Sequence, residues 1–269
     1  MWIFRLLAAL LLVQLSVVAV QALQNQPYSV SLYDVINAVE KPFRTDKSGF
    51  PALDNIQADF FQRSTIAEKK REFRADGEML LKPASSAEAL KFRFDYFRPT
   101  RHEIVCDGRS LWIYLPENRQ VILSDLSEFF TPEKSDRNRG GAVNFLQGLG
   151  RISKDFTVIF SRPMTDPAGN FILELTPMRA SVTIEKLFIT VNRESVLEVT
   201  GTRAQGNGPG RRPAETHLFP ILSTTVVDHD GNSTTIEFSN IRTNGMVPDM
   251  MFSFNPPADA FVVRPPARR

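Results

Sequence analysis

Lys91-Phe-Arg-Phe-Asp-Tyr96 alternates without a break. Phe92, Phe94 and Tyr96 fall on one face of an extended chain, and Lys91, Arg93 and Asp95 on the other. Such a run cannot sit still as a helix, whose apolar residues recur at 3.6 and not at 2. The same period runs through Ile56–Phe60, Glu72–Leu81, Thr157–Phe160, Phe171–Leu175, Val182–Val191, Val196–Gly201, Leu222–Asp228 and Asn232–Phe238. Asp107-Gly108 and Asp230-Gly231 are hairpin turns, because glycine accepts positive φ without a Cβ clash. Pro116-Glu-Asn118 marks another turn. Between the first and the last of these signals, Trp112 and Tyr114 sit in a strand-like stretch. Many short strands with polar turns make an antiparallel sheet or barrel.

Helical spacing interrupts this cadence. Ser31-Leu-Tyr-Asp34 has the Ser-x-x-acid form of a helix start, and Leu32, Val35, Ile36 and Val39 recur on one stripe until Pro42. An amphipathic helix over 31–41 follows, and its stripe must cover something. Asp125–Phe130 and Ala142–Gln147 read as two short helices around a charged, glycine-containing linker. GNGPGRRPAE, within 202–220, is too rich in Pro and Gly for regular structure and reads as a loop.

MWIFRLLAALLLVQLSVVAVQA carries one charge, Arg5, then an apolar run, then Val20-Gln21-Ala22, a small-x-small cleavage pattern. Residues 1–22 are therefore expected to be a signal peptide, leaving a single domain over 23–269. The alternative is an uncleaved anchor, since the run nearly spans a bilayer. The net charge of +2 gives no electrostatic case for nucleic acid. A single cysteine excludes an internal disulfide, so an exported chain of this kind must rely on burial.

Residues equipped for chemistry are few. His102, His217 and His229 lack the HExxH spacing of a zinc protease, and no Gly-x-Ser-x-Gly elbow occurs. Asp228-His-Asp-Gly-Asn232 has a glycine too early for a calcium loop, and no closing glutamate. Cys106 and His102 share a strand face, the one pairing that a lipid-hydrolase reading would use. No catalytic residue, metal or cofactor is expected. The unusual feature is apolar: 21 Phe against 4 Tyr and 2 Trp. Phenylalanine packs without needing a polar partner, so this inventory fills either a core or a lipid cavity.

The order of local motifs chooses between them. LDNIQADFFQ (53–62), GEMLLKP (77–83), FRFDY (92–96), VCDGRSLWIYLP (105–116), FLQG (145–148) and FSFNPP (252–257) resemble, in order, the signature blocks of the periplasmic lipoprotein carrier family, the LolA family. The last block resembles that family's closing strand. The resemblance implies a mainly β fold with a few helices: an incomplete antiparallel β-barrel with a helical lid over its concave face. It implies a periplasmic, monomeric chaperone without enzymatic activity. Its expected partners are triacylated lipoproteins, an inner-membrane lipoprotein-releasing ABC transporter and an outer-membrane lipoprotein receptor. A related lipid carrier or envelope sensor on the same scaffold is the alternative. On that scaffold, Phe60, Phe92, Phe94, Tyr96 and Trp112 are expected to bind acyl chains beneath Leu32, Val35, Ile36 and Val39. Lys82 stands where the family often has an arginine that latches the lid. Lysine lacks the planar fork of arginine, so that role stays open. Loop insertions are expected near 84–90, 131–141 and 202–220.

Overall fold

A computed structural model describes residues 30–45, 52–125, 149–181, 183–200 and 218–264. Leu32–Arg269 form one compact unit, and the other, Met1–Ser31, is described only at Val30 and Ser31. The paired helices expected within 125–150, most of the loop expected over 202–220, and the 131–141 insertion lie outside the described residues.

Twelve strands among the described residues form one sheet. β1 (Ile56–Ile66), β2 (Arg71–Lys82), β3 (Lys91–Arg98), β4 (His102–Cys106), β5 (Ser110–Leu115) and β6 (Gln120–Asp125) run as a meander. β7 (Phe156–Thr165), β8 (Phe171–Pro177), β9 (Lys186–Val191), β10 (Ile221–Val227) and β11 (Ser233–Thr243) form a second series. β1 pairs with β11 and joins the two, and β12 (Phe261–Val263) adds to β6 in parallel. The order is β12-β6-β5-β4-β3-β2-β1-β11-β10-β9-β8-β7, so the sheet is open, with β12 and β7 at its edges. The mainly β, incomplete-barrel architecture read from the sequence is the one found.

Strand alternation decides the register. Ile56, Ala58 and Phe60 pair with Leu81, Met79 and Gly77, which pair in turn with Phe92, Phe94 and Tyr96. Seven of these side chains are at most 9% exposed: Ile56, Ala58, Phe60, Met79, Leu81, Phe92 and Phe94. Each large apolar side chain so buried stabilises the fold by about 1.5–3 kcal/mol. The predicted turns are present. Asp107 Oδ1 accepts from the amides of Arg109 and Ser110, each at 2.8 Å, and Gly108 has φ of 93°.

Three short helices are described: α1 (Leu32–Glu40), α2 (Ile152–Asp155) and α3 (Arg193–Val199). α1 packs on α3 and on residues 149–155. Val35, Ala38, Val39 and Glu40 are buried there, while Leu32 and Ile36 are half-buried. Glu40 pairs with Arg44 and accepts from the Ser153 amide at 2.7 Å, tying the end of α1 to α2.

Two expectations are corrected. Val196–Gly201 is not a strand: α3 covers it as far as Val199. Asn192 caps this helix, its Oδ1 accepting from the Ser195 amide at 2.9 Å, so the cap outweighs the strand preference of valine. Phe252–Pro257 is not the closing strand. Asp249–Phe252 forms a 3-10 turn, the chain then runs outside any strand, and the last described strand is β12, at the edge of the sheet beside β6.

Candidate functional site

The inner face of the sheet encloses a cavity of about 390 Å³. Ile104 of β4 and Val226 of β10 both line it, though five strand spacings separate them in the sheet order. In a flat sheet those strands would stand roughly 24 Å apart, so the sheet curls around the space.

One wall is Met79 and Leu81 of β2, Phe92, Phe94 and Tyr96 of β3, and Ile104. The facing wall is Ile221, Thr224 and Val226 of β10 with Thr234, Ile236 and Phe238 of β11. Leu149, Phe219, Thr183 and Ile184 complete it, and Asp228 and Asn232 stand at the β10–β11 turn. Its size falls within the range of about 300–1,000 Å³ common for small-ligand sites, which are mostly apolar with a few placed polar groups.

The sequence-predicted residues separate into groups. Phe92, Phe94 and Tyr96 do line the cavity. Phe60 does not; its ring lies 5.5 Å from Phe94 and 4.8 Å from Tyr96, edge-on, and supports the wall from beside it. Leu32, Val35, Ile36 and Val39 are not among the lining residues, because α1 turns its buried side to α3 and 149–155. Trp112 is a correction. It pairs with Val105, and Val105 with Arg93, so it lies on the outer face, opposite Phe94. Its neighbour there is Phe254, 6.4 Å away. Among the described residues, the partners of Lys82 are Asp249 and Glu88, neither of them on a helix that covers the cavity. Lys82 Nζ donates to Asp249 Oδ1 at 3.0 Å, fastening the C-terminal segment. The sequence reading missed the β10–β11 wall. Thr234, Ile236 and Phe238 share a face by alternation, yet nothing local says that this face meets β3 across a cavity.

Burial pushes the Tyr96 hydroxyl up to about 12, so it stays protonated and donates to Gln62 Oε1 at 2.9 Å. Its ring stacks on His102 at 3.9 Å. Cys106 is fully buried, and burial pushes its thiol up to about 11. Four residues along a strand place it roughly 13 Å from His102, out of reach for a nucleophile–base pair. Among the described residues, no cluster of His, Cys, Asp or Glu is arranged to hold a metal. None of the described helices is long and apolar enough to cross a membrane.

Known proteins carry the same sequence pattern. An outer-membrane lipoprotein carrier protein of Nitrosospira multiformis is 27% identical over 221 residues, covering 81% of this chain and 86% of the relative. One of Dechloromonas aromatica is 28% identical over 174 residues, covering 64% and 66%. The crystal structure of a LolA superfamily protein from Nitrosomonas europaea overlays with a TM-score of 0.39 at 18% identity, covering 84% of this chain and 99% of the other. The family model described as outer membrane lipoprotein carrier protein LolA matches residues 52–208, more than half of the sequence, and the chain belongs to that family.

Proposed function

We propose that this protein is a periplasmic carrier that shelters a lipoprotein acyl chain in its cavity. It takes the cargo from an inner-membrane releasing transporter and delivers it toward an outer-membrane receptor. The observation that supports this reading is the apolar space between Phe92, Phe94 and Phe238 on the inside of the curled sheet. Exposing an acyl chain to water costs about 0.8 kcal/mol per methylene, so a chain of some fifteen costs on the order of 12 kcal/mol. A lipoprotein leaves a bilayer at a useful rate only into an apolar shelter. Such a carrier makes and breaks no bonds, in keeping with the buried, protonated Cys106.

Adjacent residues on β3 provide the test. Phe94→Glu places an unpaired charge inside the cavity, which an apolar site strongly disfavours. Arg93→Gln alters the outer face, where Arg93 pairs with Asp95 and Glu103. In a lipoprotein-release assay with spheroplasts, with folding checked by circular dichroism, Phe94→Glu should abolish release and Arg93→Gln should retain it. Full release by a folded Phe94→Glu protein refutes the cavity as the acyl site.

A further inference from the structure

The cavity has one apolar end and one charged end. Val226 faces Thr234 across the β10–β11 pair, and both line the space. Strand alternation carries that face two residues further on each strand, to Asp228 and Asn232. Both of these also line the cavity, beside the half-buried hydroxyl-bearing Thr183 and Thr234. The turn between them is exposed at His229, Asp230 and Gly231, so this end is the mouth.

The Asp228 carboxylate is held by its own turn. Oδ1 accepts from the amides of Asp230 at 3.0 Å and Asn232 at 2.8 Å, and Oδ2 accepts from Asn232 Nδ2 at 2.9 Å. A carboxylate offers about four acceptor positions, so one remains for a ligand hydroxyl or amide. Burial works against its charge, but the Asn232 and Asp230 donors outweigh it and hold the carboxyl below its usual range. His229 turns Nε2 to the Ser181 carbonyl at 2.7 Å. No Lys, Arg or His is among the described lining residues.

We propose that Asp228 makes this mouth select against anionic head groups, so that the ligand is an acyl chain ending in a neutral glyceryl ester or amide. A fatty-acid carboxylate or a lipid phosphate seated there would face a like charge that the turn holds at a half-buried place on the cavity rim, where repulsion is only partly screened. A neutral hydroxyl or amide meets a hydrogen-bond acceptor instead. The inference rests on the carrier reading and adds to it a chemical basis for choosing among lipids that share the same acyl chains.

The test is displacement of a neutral apolar fluorophore, N-phenyl-1-naphthylamine, from the purified protein. The competitors are monolauroylglycerol, laurate and lauroyl-lysophosphatidylglycerol, each below its micelle concentration. Wild type should bind the glyceride at least about tenfold more tightly than either anion, and Asp228→Asn should shrink that gap to about threefold or less. Asn keeps an oxygen to accept from the turn amides, so the turn persists. Asp230→Asn, exposed in the same turn and outside the lining, should leave the gap at its wild-type size. An equal preference in wild type, a gap unmoved by Asp228→Asn, or one moved as much by Asp230→Asn overturns head-group selection while leaving the cavity reading intact. If no amphiphile displaces the probe, the carrier reading falls and the selection falls with it.

Discussion

The ring of Phe254 lies 6.4 Å from the indole of Trp112, on the face of β5 that turns away from the cavity. It also lies 5.7 Å from Tyr114. Beside it Phe252, Val105 and Val121 are almost completely buried. The C-terminal segment therefore covers the outer face of β3–β6 and makes a second small core there. Replacing Phe254 with Ala should lower stability by about 1–3 kcal/mol, less than a fully buried phenylalanine because the ring is half-buried. In a Trp2→Phe background Trp112 is the sole tryptophan, and its emission should shift to the red. An unchanged melting curve and spectrum would show that the segment is not held by this contact.

Asp249 ties the same segment down at its other end. Lys82 Nζ donates to its Oδ1 at 3.0 Å and Lys91 Nζ to its Oδ2 at 2.9 Å. Hydrogen bonds from Lys91 and Lys82 hold the Asp249 carboxyl below the usual range. A depressed carboxylate contributes stability above its unfolded value of about 3.9, and loses it as pH falls through the folded value. The lysines are shifted up, Lys82 chiefly by the Asp249 bond. For Lys91 burial opposes the charge, and the Asp249 and Glu88 bonds outweigh it. Their contribution is present below about 10.4 and is lost as pH rises through the folded values. Asp249 is 56% exposed, so Asp249→Asn should cost only about 1 kcal/mol or less at neutral pH. In a series of thermal melts the difference from wild type should shrink as pH falls below about 3.9 and vanish once pH is below the folded value. A gap that stays constant into acid would remove the carboxylate from the account.

Cys106 should behave as a core residue. Its Sγ points to the Leu90 carbonyl at 3.7 Å, and at about 11 its thiol is protonated at neutral pH. A thiol reagent should label it only after denaturation. Cys106→Ser should keep lipoprotein release, at a cost of about 1–2 kcal/mol for burying a hydroxyl. Rapid labelling of the native protein would contradict its burial.

Gly77 is required where β1, β2 and β3 meet. A Cβ there would lie 2.0 Å from the Asp95 carbonyl oxygen and 2.8 Å from Phe60 Cζ. Backbone cannot yield as a flexible side chain can. Gly77→Ala should destabilise by about 3 kcal/mol or more and disturb the Phe60–Tyr96 packing beside the cavity. A melting temperature within a degree or so of wild type would mean that the strands separate at little cost.

Much of the inner wall was legible because β alternation is a local property. Phe92, Phe94 and Tyr96 share a face whatever else the chain does, and they do line the cavity. The Asp107-Gly108 turn was legible for the same reason, since a positive φ favours glycine over any other residue. The helix over Leu32–Glu40 followed from the spacing of its stripe. What the stripe covers did not follow. Its partners are α3 and residues 149–155, more than a hundred positions away.

Local pattern thus determined which side chains share a strand face and where the chain turns. Tertiary structure alone decided which face became the inside. Trp112 and Phe94 sit on β5 and β3, two strands apart, with equally plausible apolar neighbours, and only the pairing of β3 through β4 to β5 puts them on opposite sides. The β10–β11 wall reaches β3 only because β11 pairs with β1, whose residues lie some 180 positions earlier, and because the sheet curls. Lys82 meets Asp249 across 167 residues for a similar reason. Such contacts depend on register between distant strands, and a slip of one residue would reverse every face.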